Sequence, residues 1–165
     1  SSAEALQQIV FWSMGSLTRA NWAANGVLAA VLIIALPILW ALGWRLTALR
    51  LGDARATAMG INTSRLRVVV LIVVSLVAAT TVAFAGIIGF IGLVGPHIAR
   101  MLVGEDQRYF LPASMAAGAA VMCAAHAVSL MIKPGLAIPI GIVTSLLGVP
   151  FFIAIVMTRR RALWT

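Results

Sequence analysis

Acidic residues are nearly missing from this chain of 165 residues, which has four Asp and Glu against twelve Lys and Arg. Cysteine occurs once, at Cys123 inside an apolar run, so an intrachain disulfide is excluded and a thiolate metal cluster lacks ligands. Lysine also occurs once, at Lys133 after Met-Ile, so there is no GxxxxGK[ST] phosphate loop and this chain is not itself an ATPase. Charged residues of all kinds make up only 10%, where soluble domains carry about a quarter. That shortage excludes an ordinary cytosolic globule, a disordered chain and a coiled coil. What is present is apolar: 62% hydrophobic residues and a mean hydropathy of +1.08. The fold class that follows is an all-α integral membrane protein. The net charge of +8 would suggest nucleic acid in a soluble protein. Here it is read as the basic loops that orient membrane spans, and no nucleic-acid partner is assigned.

A crossing helix needs about 20 mostly apolar residues. The first uncharged run of that order is 27–44. The next, Val68 to Ala99, is too long for one crossing and carries Gly86, Gly89, Gly92, Gly95 and Pro96. Splitting it near Ala85–Gly86 gives spans 67–84 and 87–102. The fourth span is 111–132, with Pro112 expected in its first turn, and the fifth is 138–157, opened by Pro139 and interrupted by Pro150. With five spans, Arg45, Arg50, Arg55, Arg65, Arg67, Arg100, Arg108 and Arg159–Arg161 fall on one side of the membrane, and only Arg19 and Lys133 on the other. That bias marks the arginine-rich side as cytoplasmic and the N-terminus as external. Residues 1–25 hold no span and no signal-peptide pattern, only a short amphipathic stretch from Glu4 to Trp12. The expectation is one membrane domain, 1–165, forming the C-terminal part of a longer protein.

The cytoplasmic loop 46–62 is expected to form one or two short surface helices. Leu49, Asp53, Ala56 and Met59 recur at helical spacing, Gly60 suits a C′ position, and Thr63 or Ser64 can cap the next helix. Two readings stay open for it: a solvated connector whose arginines touch lipid headgroups, or a docking knob for a cytoplasmic partner. In the stretch 95–108, Arg100 is expected to snorkel to the interface and His97 to hydrogen-bond to backbone freed by Pro96. The Gly89–Gly92–Gly95 spacing scatters glycines around a helix and suits close packing and local irregularity. His126, with Ser129 one turn away, is the ionisable group at depth. A neutral His satisfied by a hydroxyl or carbonyl and an intramembrane hydrolase are both readings of that pair; no third orienting group is evident and no acid occurs in any span. No catalytic, metal or cofactor residues are assigned.

Several motifs occur in order along the chain: Phe11-Trp-Ser-Met-Gly-Ser-Leu, Leu51-Gly-Asp, Met59-Gly-Ile-Asn, the run GFIGLVGPHIARMLVGEDQR from Gly89, Leu111-Pro-Ala-Ser and IPIGIVTSLLGVPFF from Ile138. Together they resemble the permease subunits of ABC importers for iron-siderophores, haem and vitamin B12, the FecCD transport family, over essentially the whole chain. The resemblance implies the C-terminal half of a ten-helix permease, beginning near the end of the family's fifth helix. It also implies a bacterial cytoplasmic-membrane location, a second permease subunit, a cytoplasmic ABC ATPase and a periplasmic or lipid-anchored solute-binding protein. It implies that Leu49, Leu51, Gly52, Asp53, Arg55, Ala56, Met59 and Gly60 belong to the ATPase-coupling loop. Gly89, Gly92, Pro96, His97, Arg100, His126, Pro139 and Gly141 are taken as translocation and packing positions. Where the family commonly shows an Asp and an Arg four residues apart, this sequence has His126 and Leu130, and Ala137 replaces an acid. Lys133, then Arg19, are therefore the expected docking charges for the binding protein. The expected function is uptake of a ferric siderophore or related iron complex, with haem or cobalamin import, or a truncated non-transporting scaffold, as alternatives.

Overall fold

A computed structural model describes residues 2–17, 20–132 and 138–161. Its elements are all helical: α1 (Ser2–Ser13), α2 (Trp22–Ala41), α3 (Gly43–Leu49), α4 (Asp53–Ala58), α5 (Thr63–Ala85), α6 (Ile91–Val103), α7 (Gln107–Ile132) and α8 (Ile140–Arg161). Four of them, α2, α5, α7 and α8 (to Met157), are long and apolar enough to cross a membrane.

The helix starts are set by caps that lie upstream of the apolar runs. Asn21 Oδ1 accepts from the Ala24 N–H at 2.7 Å, so α2 begins five residues before Val27. Asn62 Oδ1 accepts from the Arg65 N–H at 2.9 Å. The cap of α5 is thus Asn62, whose amide reaches the third helical N–H, and not Thr63 or Ser64. Asp106 Oδ1 accepts from the Arg108 N–H at 3.1 Å, which starts α7 at Gln107. Pro112 therefore stands in the helix interior and not in the first turn, and the Arg108 carbonyl loses its usual donor.

The long apolar run breaks where the glycines cluster. Gly86 ends α5 at φ +75, ψ −165, a conformation open almost only to glycine. Phe90, at φ 66, is the one described non-glycine residue with positive φ. Its ring fills the notch left by Gly148 on α8, where any Cβ would collide with it. The expected span 87–102 is helical only over 91–103, because residues 87–90 turn the chain instead of continuing it. With 13 residues, α6 is about 20 Å long, short of the roughly 30 Å hydrocarbon core.

Helices α6 and α7 pack as a close antiparallel hairpin. A Cβ on Gly95 would lie 3.0 Å from the Ser114 carbonyl oxygen and 3.2 Å from Gly118 Cα. Ala99 is fully buried at the same seam. Small residues let the two backbones approach, as in membrane helix pairs generally.

Candidate functional site

The ends of α2 and α6 and the starts of α5 and α7 gather with α3 and α4 at one end of the bundle. This is the end that carries the described arginines. The loop between α2 and α5 is built on a small apolar centre of Ala48, Ala56, Ile61 and Leu66, with Leu42, Leu46, Leu49 and Val70 packed around it. Ala56 is wholly enclosed, while Leu51 (57%) and Met59 (50%) stand exposed. Gly60 occupies the C′ position of α4 at φ 79. A small packed base thus presents two apolar side chains and the exposed Arg55 outward.

Charges fix this platform from two directions. Asp53 Oδ1 lies 2.7 Å from Arg67 Nη2, tying α4 to α5. Arg50 pairs with the Glu105 carboxylate and also donates to the Glu105 carbonyl at 3.1 Å. Arg100 Nε reaches Glu105 at 3.3 Å, and its guanidinium lies 5.9 Å from the Phe110 ring centre. The Thr47 hydroxyl accepts from the Gln107 N–H at 2.9 Å and lies 3.4 Å from Asp106 Oδ1. The hydrogen bond from Arg50 holds the Glu105 carboxyl below its ordinary value, with Arg100 adding to the effect. Asp106 is lowered chiefly by the guanidinium of Arg108, then by that residue's backbone N–H. Helix α3 and the residue that follows it are in this way latched to the α6–α7 turn.

The opposite end is assembled by backbone. Residues following α1 lie between the Gly86 break and the start of α8. Ser16 N–H donates to the Ala85 carbonyl at 2.9 Å, and Gly141 N–H to the Met14 carbonyl at 3.1 Å. A side chain on Gly141 would strike the Met14 carbonyl, and one on Gly86 the Trp12 carbonyl. Beside this junction opens a cavity of about 710 Å³, lined by Ser13, Ile87, Gly89, Gly141, Ser145 and Leu146 among others.

The remaining positions singled out in the sequence divide clearly. A Cβ on Gly89 would meet the Ser145 hydroxyl at an ordinary 3.7 Å, whereas one on Gly92 would meet nothing within 4 Å. Pro96 lies inside α6, and Pro139 precedes α8. His97 packs edge-on against Phe151 of α8, ring centres 5.3 Å apart, and among the described residues it has no hydrogen bond to the Pro96 region. The Ser129 hydroxyl donates to the Ile138 carbonyl at 3.3 Å, so it is not paired with His126. The dyad a hydrolase needs is therefore not formed, and no grouping of metal-ligating side chains occurs among the described residues. Lys133 and Arg19 lie outside the described residues.

Sequence reasoning missed Thr47, Glu105, Asp106 and Arg67 as structural partners. Only Asp106 left a local signal, an acid just before a helix start. The other pairings join residues 14 or more apart and have no signature in the sequence.

Comparison with known proteins places these features in context. Residues 1–158 match the model of the FecCD transport family. The chain is 40% identical over 92% of its length to the Fe(3+)-citrate import system permease protein YfmE of Bacillus subtilis, covering 46% of that protein. It is 37% identical over 97% of its length to the hemin transport system permease protein HmuU of Yersinia pestis, covering 48%. A solved structure described as a metal-chelate type ABC transporter in an inward-facing conformation superposes with TM-score 0.89 at 36% identity, over 95% of this chain and 52% of that one. The chain spans about half the length of the relatives it matches. It belongs to the FecCD transport family, the membrane permeases of ABC importers.

Proposed function

We propose that this chain is the C-terminal half of a permease subunit that imports an iron(III) chelate across the bacterial cytoplasmic membrane, driven by separate ABC ATPase subunits. The observation that carries the reading is the α3–α4 platform, exposed at its tip and latched to the α6–α7 turn through Arg50–Glu105. A partner seated on Leu51, Arg55 and Met59 moves α3, and α3 moves the α6–α7 hairpin. ATP-driven closure of the ATPases thereby shifts the balance between two packings of the spans. At the far end, the cavity beside Gly89 and Gly141 forms part of the path, with small residues and the Ser13 and Ser145 hydroxyls offering little to hold a substrate tightly. A second permease subunit completes the path. Lys133, with Arg19, supplies the docking charge for the solute-binding protein.

The coupling reading is tested with Gly52→Trp and Asp53→Trp in the full-length permease, measuring ATPase co-purification and uptake of labelled ferric citrate. Loss of both is expected; normal co-purification and uptake in both variants would refute it. Lys133→Glu is expected to abolish capture of the binding protein, and unchanged capture removes that assignment. Haem import stands as the second reading, because similarity to the haem permease nearly equals that to the iron-citrate one. Uptake of haem but not ferric citrate would select it.

A further inference from the structure

We propose that the basic end of the bundle carries a binding site for the headgroup of an anionic phospholipid, in the cavity between the end of α2, the start of α3 and the start of α5. The cavity holds about 290 Å³ and is lined by Leu42, Trp44, Arg45, Asn62, Arg65 and Val69 among others, with no carboxylate in its wall. Seven arginine side chains are described, at 45, 50, 55, 65, 67, 100 and 108. Arg50, Arg67, Arg100 and Arg108 are each paired with an acid. Arg45 and Arg65 have no carboxylate partner among the described residues, and both line this one cavity.

The wall is mixed: two arginines and Asn62 stand among apolar side chains, with Met59 and Ile61 contributed by the α4–α5 loop. Leu42 follows the last turn of α2, and Leu66 and Val69 lie in the first turns of α5, so part of the apolar wall belongs to two helices able to cross the membrane. Arg45 belongs to α3 and Arg65 to the first turn of α5, where the chain leaves the connecting loop. Trp44, half exposed, suits the depth where hydrocarbon gives way to headgroups, and the Arg45 guanidinium lies 5.6 Å from its ring centre. The start of α5, a helix of 23 residues, adds its positive end to the same space. Two planar guanidinium groups present forked donors that match phosphate oxygens. A free anion would use the arginines alone, whereas a phospholipid also covers Leu42 and Val69, so the mixed wall commits the site to a lipid of the leaflet at this end. Basic pockets between membrane helices serve such headgroups elsewhere. The inference rests on α2 and α5 lying in a bilayer, and the cavity shares Met59 with the proposed ATPase seat.

The test uses the full-length permease in nanodiscs of phosphatidylcholine with and without phosphatidylglycerol, followed by native mass spectrometry of retained lipid. Arg45→Gln and Arg65→Gln are each expected to weaken phosphatidylglycerol retention about fivefold, and the double variant about 25-fold. Arg55→Gln, also unpaired but outside the cavity, is expected to retain lipid like the parent. Retention unchanged in the double variant overturns the site, and an equal loss in Arg55→Gln reduces it to diffuse surface charge. Full displacement by inorganic phosphate would reassign it to a soluble anion, and displacement by the ATPase subunit to protein docking; both overturn it. If the double variant does not fold, the two single variants and Arg45→Lys, which keeps the charge, decide the matter.

Discussion

At the basic end, α3 meets the α6–α7 turn through side chains that remain about 40 to 50% exposed, Arg50 and Glu105. At the other end, residues 12–16 meet 85–87 and Gly141 through carbonyls and N–H groups, with no space for a methyl group. The first arrangement can lengthen and re-form at small cost, because exposed ion pairs are individually weak and their side chains flexible. The second permits one geometry only. Under the proposed function this contrast has a use: the compliant end receives the partner, and the rigid end preserves a broken helix beside the proposed path.

The sharpest way to break the comparison is at the rigid end. Gly86→Val places a branched side chain at φ +75 and against the Trp12 carbonyl. Strain and overpacking together are expected to cost about 3 kcal/mol or more, seen as loss of monodisperse protein in detergent. Gly92→Ala, where a Cβ meets nothing, is expected to behave as the parent. If both glycines tolerate substitution equally, the rigid end is not rigid.

Ala56→Leu comes next. It overfills the enclosed centre under the platform and is expected to destabilise it by about 1–3 kcal/mol, read as faster hydrogen exchange over 43–62 than over α7. Asn62→Ala removes the α5 cap and is expected to cost about 1 kcal/mol, read as fraying confined to 60–66.

The smallest effect is with pH. Glu105 and Asp106 both have lowered folded-state values. Their contribution is therefore present above the ordinary carboxylate values of 4.5 and 3.8. It fades as pH falls through the lower folded-state values. Spin labels on α3 and the start of α7 are expected to hold their distance from pH 7 down to the ordinary carboxylate range and to separate only as pH falls below it. Glu105→Gln is expected to show the acidic distance already at neutral pH.

Much of the helical layout was legible because apolar runs of spanning length depend on composition alone. The break near Gly86 was also legible, since a run of that length with four glycines and a proline cannot be one regular helix. Helix starts were read too late, as with Pro112, because the caps Asn21, Asn62 and Asp106 are polar and lie outside the runs. The platform's short helices followed from spacing, but its fixings did not. Asp53 reads as an acid offered to a partner and is instead engaged by Arg67. His126 and Ser129 read as neighbours, yet the hydroxyl turns to Ile138. Such choices depend on which helices meet, and nothing local to either residue records it.

The non-helical stretch 87–90 has a consequence for how the chain is made. Its neighbours Ala85 and Gly86 are met by residues 12–16, upstream in the chain, while Gly148, which receives Phe90, and Gly141, which takes Met14, lie downstream of it. Irregular backbone left facing lipid is untenable. The packing around 85–90 therefore draws on chain from both directions and is complete only once α8 has been synthesised.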